Sequence, residues 1–104
     1  MVALRKATIE PQSEETLTQA FNTLKDNPDI SVEIRGYTDN VGSVASNTKL
    51  SLRRAQAVKA WLVKKGIQAE RIGVKGYGPE NPIGDNSTED GRMKNRRIEF
   101  FRSK

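Results

Sequence analysis

Cysteine and histidine are both missing from the 104 residues of the chain. Without cysteine, thiolate zinc sites are excluded, and disulfides cannot indicate a redox compartment. Without histidine, Ser-His-Asp triads and most transition-metal sites lose their usual members. These absences favour a binding module over an enzyme, and we expect no catalytic residue, no metal and no cofactor.

Long apolar runs are missing as well. A membrane-spanning helix needs about 18 consecutive apolar residues, and the chain has no such run and no signal-peptide core at its N-terminus. A hydrophobic content of 35% is enough for one modest core. We therefore expect residues 1–104 to form a single domain, and any export signal to lie outside them.

The charge of the chain is unbalanced. Lys and Arg number 18 against 13 Asp and Glu, which gives a net charge of +5. A basic surface of this kind favours anionic partners such as nucleic acid, anionic lipid or an acidic polymer. The charges are spread along the sequence, so the bias alone does not select among these partners.

Hydrophobic periodicity predicts two main helices and three clear strands. The helices span residues 13–26 and a segment that begins between residues 43 and 51 and ends at residue 65. The strands span residues 30–35, 71–77 and 97–102. A short first strand at residues 2–4 completes the order βαβαββ, which predicts an α+β fold. We expect a two-layer α/β sandwich with a mixed sheet and both helices on one face.

A long polar segment separates the last two strands. Residues 79–94 are rich in Pro, Gly, Asn and Asp, and we expect a functional or mobile loop there. By strand parity, Arg96 then faces the helices and Arg97 faces the open side of the sheet. Arg96 therefore requires an acidic partner or a helix-end carbonyl group.

Asp39 and Arg54 are the most informative pair of residues. Asp39 follows a strand, at the edge where open α/β sheets commonly bind ligands. Arg54 interrupts the apolar stripe of the next helix, between Leu50 and Val58, where a guanidinium requires a partner. Asp39 is the nearest partner by topology. The pair is therefore either an internal salt bridge or a site for a zwitterionic ligand.

The residues around this pair form part of a longer signature. The signature comprises Gly36-Tyr37-Thr38-Asp39, Gly42, Asn47-x-x-Leu50-Ser51-x-x-Arg54-Ala55, Gly76-Tyr77-Gly78 and Asn95-Arg96-Arg97-Ile98. It closely resembles the OmpA C-terminal-like peptidoglycan-binding domain, whose family includes porin tails, peptidoglycan-associated lipoproteins and flagellar stator proteins. The resemblance extends from residue 8 to about residue 100.

The resemblance implies non-catalytic binding of peptidoglycan through the meso-diaminopimelate residue of its stem peptide. Asp39 would neutralise the ammonium of that residue, and Arg54 would bind its carboxylate bidentately. Thr38 would add hydrogen bonds, and Asn47 and Arg96 match family positions that line the groove.

The resemblance also implies a cellular setting. We expect a periplasmic domain, cut from a larger envelope protein that is attached to the outer or inner membrane and that the domain anchors to the cell wall. The first strand at residues 2–4 is shorter than is usual in the family. Another chain can complete such a sheet edge, so a homodimer is an alternative to a monomer.

Two other functions are compatible with parts of the sequence. A basic nucleic-acid-binding module would use the positive charge between Lys94 and Lys104, but the RNP-like aromatic motif, the Gly-rich clamp and the helix-turn-helix are all missing. We therefore expect no nucleic acid among the partners. A wall-degrading glycosidase would need two matched carboxylates, and no spacing of the loop acids singles out such a pair.

Overall fold

The computed structural model describes residues 14–103, so the short first strand expected at residues 2–4 lies outside the described residues. The elements are α1 (Glu14–Asp26), β1 (Val32–Tyr37), α2 (Val44–Lys64), β2 (Ile72–Gly78), α3 (Glu89–Asn95) and β3 (Ile98–Arg102), with one turn of 3-10 helix at Ala69–Arg71 before β2. Between residues 14 and 103, no helix is both long and apolar enough to cross a membrane.

The described strands form one mixed sheet in the order β2-β1-β3. β1 runs parallel to β2 and antiparallel to β3, so that Val32 lies opposite both Ile72 and Arg102. Val32 and Ile34 point into the core, while Glu33 alternates with them toward the open face. The α+β class with a mixed sheet is therefore confirmed.

The core lies between this sheet and the two long helices. Leu17 and Leu24 of α1 join Val58 and Leu62 of α2 in one buried cluster with Ile34 of β1. Burial of such side chains stabilises the fold by about 1.5–3 kcal/mol each. The helices also touch through an edge-to-face contact between Phe21 and Trp61, with ring centroids 6.5 Å apart.

Two glycines allow α2 to lie directly on the backbone of the sheet. A Cβ atom on Gly76 would lie 2.5 Å from the backbone nitrogen of Leu52 and 2.7 Å from the carbonyl oxygen of Thr48. A Cβ atom on Gly36 would collide with the carbonyl group of Ser51. This close approach brings the first half of α2 to the carboxyl end of β1.

The prediction that residues 79–94 form a loop was wrong in its second half. Helix α3 begins at Glu89, after the Oγ1 atom of Thr88 accepts a hydrogen bond of 3.0 Å from the backbone N–H of Gly91. Glu89 and Asp90 occupy the first turn, where negative charge favours a helix. The helix is short and polar, so no apolar period marks it in the sequence.

Arg71 ties the end of α1 to the start of β2. Its Nη2 atom donates hydrogen bonds to the carbonyl groups of Leu24 (2.7 Å) and Asn27 (2.8 Å). Its Nε atom donates to the carbonyl group of Ile30 at 3.0 Å. The guanidinium thus satisfies carbonyl groups that a helix end leaves without an intrahelical partner.

Candidate functional site

Asp39 lies two residues beyond β1, and its carboxylate is fixed on two sides. Oδ1 accepts a hydrogen bond of 3.0 Å from the backbone N–H of Val41, and Oδ2 accepts one of 2.9 Å from Nη1 of Arg96. The backbone N–H of Thr38 donates to the carbonyl group of Gly78 at 2.7 Å, which anchors the chain just before Asp39. The carboxylate is therefore held in one orientation, with only 2% of Asp39 exposed.

Arg96 links the buried carboxylate of Asp39 to an acid at the surface. The residue caps the C-terminus of α3, and its guanidinium also pairs with Glu89, with Nη2 and Oε2 3.3 Å apart. Burial disfavours the charge of Arg96, but the hydrogen bonds to Asp39 and Glu89 outweigh it, so its pKa is raised. The prediction that Arg96 finds an acidic partner is confirmed.

Asn47 connects α2 to the loop that follows Asp39. Its Nδ2 atom donates a hydrogen bond of 2.8 Å to the carbonyl group of Val41, and the residue is fully buried. Asp39 already accepts from the N–H of Val41. The two residues therefore hold both sides of Val41, while the side chains of residues 40–46 are exposed.

Thr38 and Arg54 complete the set of predicted residues. The hydroxyl of Thr38 donates to the carbonyl group of Asp39 at 2.8 Å, which leaves its oxygen lone pairs as acceptors. Arg54 is 1% exposed and lies on the buried face of α2, two helical turns after Asn47. Its Nη1 atom makes no hydrogen bond within the described residues, although the side chain does interact with its surroundings.

The five residues are thus placed unequally. Asp39 and Arg96 are in direct contact, Thr38 is bonded to the backbone of Asp39, and Asn47 is bonded to the loop that Asp39 also holds. Asp39 and Arg96 form a buried cluster of one carboxylate and one guanidinium, with Glu89 at its rim, while Arg54 is buried on α2. Such a set of charges suits a ligand that carries both a cation and an anion.

The adjacent Arg97 points away from this cluster, as strand parity predicts. Its guanidinium stacks on the ring of Tyr37 at 3.9 Å and pairs with Glu99 at 2.6 Å on the open face of the sheet. The ring of Tyr37 in turn stacks on that of Tyr77, with centroids 5.4 Å apart. Arg97 therefore supports the sheet and takes no part in the candidate site.

Two residues that position Arg96 were not predicted as part of the site. Oδ1 of the fully buried Asn95 accepts from the N–H groups of Ile83 (2.7 Å) and Gly84 (2.8 Å), which fixes the loop before α3. Glu89 binds the outer side of Arg96. The cap residue Thr88 followed by two acids was a helix-start signal that could have revealed Glu89, whereas no pattern marks a buried amide such as Asn95.

A groove of about 460 Å³ lies apart from these residues. It is lined by α1, the chain that follows it and parts of β1 and β3, namely Thr16, Gln19, Ala20, Thr23, Leu24, Asn27, Ile30, Val32, Phe100 and Arg102. None of the five predicted residues lines it. Among the described residues, no group of three acids is arranged to hold a metal ion.

Comparison with solved structures identifies similar folds. The peptidoglycan-associated lipoprotein from Burkholderia pseudomallei aligns with a TM-score of 0.90 at 25% identity, over 98% of this chain and 86% of that one. The C-terminal domain of Helicobacter pylori MotB aligns with a TM-score of 0.88 at 26% identity, over 100% and 81%. The cell wall anchor of the T6SS from Pseudomonas aeruginosa aligns with a TM-score of 0.80 at 27% identity, over 99% and 76%.

Sequence comparison gives relatives of higher identity. The probable lipoprotein YiaD of Escherichia coli K12 is 43% identical over 94 residues, which are 90% of this chain and 43% of that protein. The peptidoglycan-binding protein ArfA of Mycobacterium tuberculosis H37Rv is 44% identical over 94 residues, which are 90% and 29%. The chain thus spans less than half the length of these relatives. The model of the OmpA family matches residues 4–96, and the chain belongs to that family.

Proposed function

We propose that this chain binds peptidoglycan through the diaminopimelate residue of the stem peptide. In this proposal, the domain works in the periplasm and anchors a larger, membrane-attached envelope protein to the cell wall. Membership of the OmpA family supports the proposal, as do the names of two similar proteins, a peptidoglycan-binding protein and a peptidoglycan-associated lipoprotein. The chain matches only 43% of YiaD and 29% of ArfA, which supports the view that the domain serves a larger protein.

The observation that carries the proposal is the fixed, buried carboxylate of Asp39 at the end of β1. In the proposal, this carboxylate binds the ammonium of diaminopimelate, and the guanidinium of Arg54, buried on the helix that packs against that end of the sheet, binds its carboxylate. A buried arginine is a costly residue compared with a hydrophobic one of similar volume, and a ligand carboxylate is a partner that suits its guanidinium.

Access to the cluster requires a movement, because Asp39 and Arg54 are at most 2% exposed. Arg96 is the side chain best placed to move. It binds Asp39 through Nη1 and Glu89 through Nη2, and Glu89 has 57% of its side chain exposed. When the ligand ammonium takes its place beside Asp39, Arg96 retains Glu89 as a partner.

Calorimetric titration with three stem peptides tests the ligand. The first peptide carries meso-diaminopimelate, the second carries the same residue with its side-chain carboxylate amidated, and the third carries lysine, which keeps the ammonium but lacks that carboxylate. We expect the second and third to bind at least about tenfold more weakly, because Arg54 then faces a neutral group or none. Equal affinities for all three would refute the contact with Arg54.

Two neighbouring arginines provide a matched pair of variants. Arg54→Lys keeps the charge but loses the bidentate geometry, so we expect the affinity for the diaminopimelate peptide to fall at least about tenfold. Arg53→Lys changes an exposed neighbour on the other side of α2, and we expect no change. Circular dichroism checks that both variants fold, and an unchanged affinity of folded Arg54→Lys would contradict the proposed role.

A further inference from the structure

The distribution of acids along the chain is uneven in a way that the candidate site does not explain. All 13 acidic residues lie outside residues 40–69, a stretch that contains the whole of α2. The same stretch contains six bases, which are Lys49, Arg53, Arg54, Lys59, Lys64 and Lys65. Of these six, only Arg54 is buried. Helix α2 therefore presents positive charge alone to the solvent.

Three of these bases follow one line along the helix. At about 100° per residue, Lys49, Arg53, Gln56, Ala60 and Lys64 fall on the side of α2 opposite its buried residues. All five are exposed. We call this line the α2 ridge. The helix has 21 residues, so the ridge lies on a rigid rod of about 30 Å.

The charges of the ridge are not neutralised within residues 14–103. The salt bridges between described residues involve Arg35, Arg92, Arg96 and Arg97, and none reaches Lys49, Arg53 or Lys64. The bases of those salt bridges are paired with acids, whereas no acid of residues 14–103 pairs with the bases of the ridge. Anionic groups of a partner can approach the ridge without competition from the carboxylates of the described residues.

We propose that the α2 ridge binds the surface of a lipid bilayer that contains anionic phospholipid. Long Lys and Arg side chains on a straight helix suit a planar array of phosphate groups. At the C-terminal end of α2, Val63 is 39% exposed and is followed in the chain by Lys64 of the ridge. An exposed apolar side chain beside a lysine is typical of residues at the depth of lipid headgroups.

The geometry favours a bilayer over single-stranded nucleic acid, another large polyanion. Proteins that bind single strands stack bases on exposed aromatic rings, and the α2 ridge carries no ring. The ridge also lies on the opposite side of α2 from Arg54. Lipid and stem peptide can therefore be bound at the same time, and the lipid proposal does not depend on the proposed function.

Sedimentation of the full chain with vesicles tests this proposal. We expect binding to vesicles of phosphatidylcholine mixed with phosphatidylglycerol and none to vesicles of phosphatidylcholine alone. The triple variant Lys49→Gln, Arg53→Gln, Lys64→Gln should bind the mixed vesicles on the order of 100-fold more weakly, because each base near an anionic surface contributes roughly fivefold. All three side chains are exposed, so thermal unfolding of the variant should match that of the wild type.

A second triple variant controls for total charge. Lys25→Gln, Lys75→Gln, Lys94→Gln removes the same charge from exposed positions outside α2, and we expect most of the vesicle binding to remain. Equal losses in the two triple variants would show diffuse attraction and overturn the proposal. Failure of the wild type to bind mixed vesicles would overturn it too, and so would preferential binding of duplex DNA in a competition with those vesicles.

Discussion

Arg96 shares its charge between an acid in the interior and an acid at the surface. Asp39 is buried and keeps its position through the N–H of Val41, whereas Glu89 is mostly exposed. Loss of the inner pair would leave a buried charge without its partner, which typically costs about 3–5 kcal/mol. The outer pair is worth far less, since solvent screens Glu89. The two acids therefore have different tasks, and the outer one can be removed without unfolding the domain.

The ion pair between Arg96 and Glu89 predicts that the stability of the domain depends on pH. The hydrogen bond from Arg96 lowers the pKa of Glu89 in the folded protein. The ion pair therefore stabilises the fold fully above the ordinary glutamate pKa of about 4.3, and this contribution is lost as the pH falls through the lowered pKa of the folded state. We expect Glu89→Gln to melt below the wild type at pH 7, and the difference to shrink on acidification through the carboxylate range. Thermal unfolding followed by circular dichroism measures both temperatures.

Glu80→Gln is the control for this comparison. Glu80 is an exposed acid outside the ion pairs of the described residues, so its replacement should leave the melting temperature nearly unchanged at either pH. A difference between wild type and Glu89→Gln that stays constant down to pH 3 would contradict the ion pair.

The sequence revealed charged residues at positions where the pattern of a helix or strand makes them unusual. Arg54 breaks an apolar stripe and Asp39 ends a strand, so both were predicted to matter, and Arg96 was predicted to need a partner. Asn95 belongs to the signature, but no role was predicted for it, because a buried amide has neither charge nor periodicity to reveal one. Arg54 was predicted as the partner of Asp39, whereas the bond of Asp39 to Arg96 was not predicted, since it depends on how α3 folds.

At the scale of elements, α2 is positioned by contact between backbones. Gly76 lies against Leu52 and Thr48, so a methyl group there must push α2 away from β2. We expect Gly76→Ala to lower the free energy of unfolding by about 3 kcal/mol or more, measured by urea denaturation. The same displacement should weaken binding of the diaminopimelate peptide, because it also moves Asn47 and Arg54.

Gly73 offers a matched control on the same strand. A Cβ atom there would meet only the carbonyl oxygen of Val32, at 4.0 Å, so Gly73→Ala should change the unfolding free energy by less than about 1 kcal/mol. If the two variants were equally stable, close packing of α2 would not be what positions it.

Elements with an apolar period were predictable, and α3 was not. Each of these elements, α1, α2 and the three strands, buries a regular set of hydrophobic side chains. Their observed bounds differ from the predicted ones by two residues at most, and α2 begins within the range of residues 43–51 that was predicted for its start. In contrast, α3 has seven residues, includes Gly91 and is held by hydrogen bonds to the loop before it. Gly91 packs against the backbone of Asp85, so tertiary contacts and not an apolar period accompany this short helix.

At the scale of the whole molecule, helix α2 separates the two proposed binding surfaces, which differ in electrostatic character. The candidate peptide site is buried, whereas the α2 ridge is in full contact with solvent. Salt screens exposed charges strongly, since the Debye length falls from about 10 Å at 0.1 M to about 3 Å at 1 M, and it screens buried charges much less. The two surfaces should therefore respond differently to ionic strength.

We expect added sodium chloride to release the chain from mixed vesicles while its affinity for the diaminopimelate peptide changes by less than about threefold. Vesicle sedimentation and calorimetry over the same salt series measure the two effects. Parallel losses of both activities would mean that the peptide site is also a solvent-exposed electrostatic surface.

The central position of β1 in the sheet has a consequence for synthesis of the chain. β1 is the first described strand, yet Ile72 and Arg102, its partners opposite Val32, come much later. At roughly 5–20 residues per second, the ribosome needs roughly 3 to 13 seconds to make the chain from the end of β1 to the end of β3. Until that interval ends, Val32 and Ile34 lie on a strand that lacks at least one of its two observed neighbours. The nascent chain is then most prone to aggregate and most in need of a chaperone.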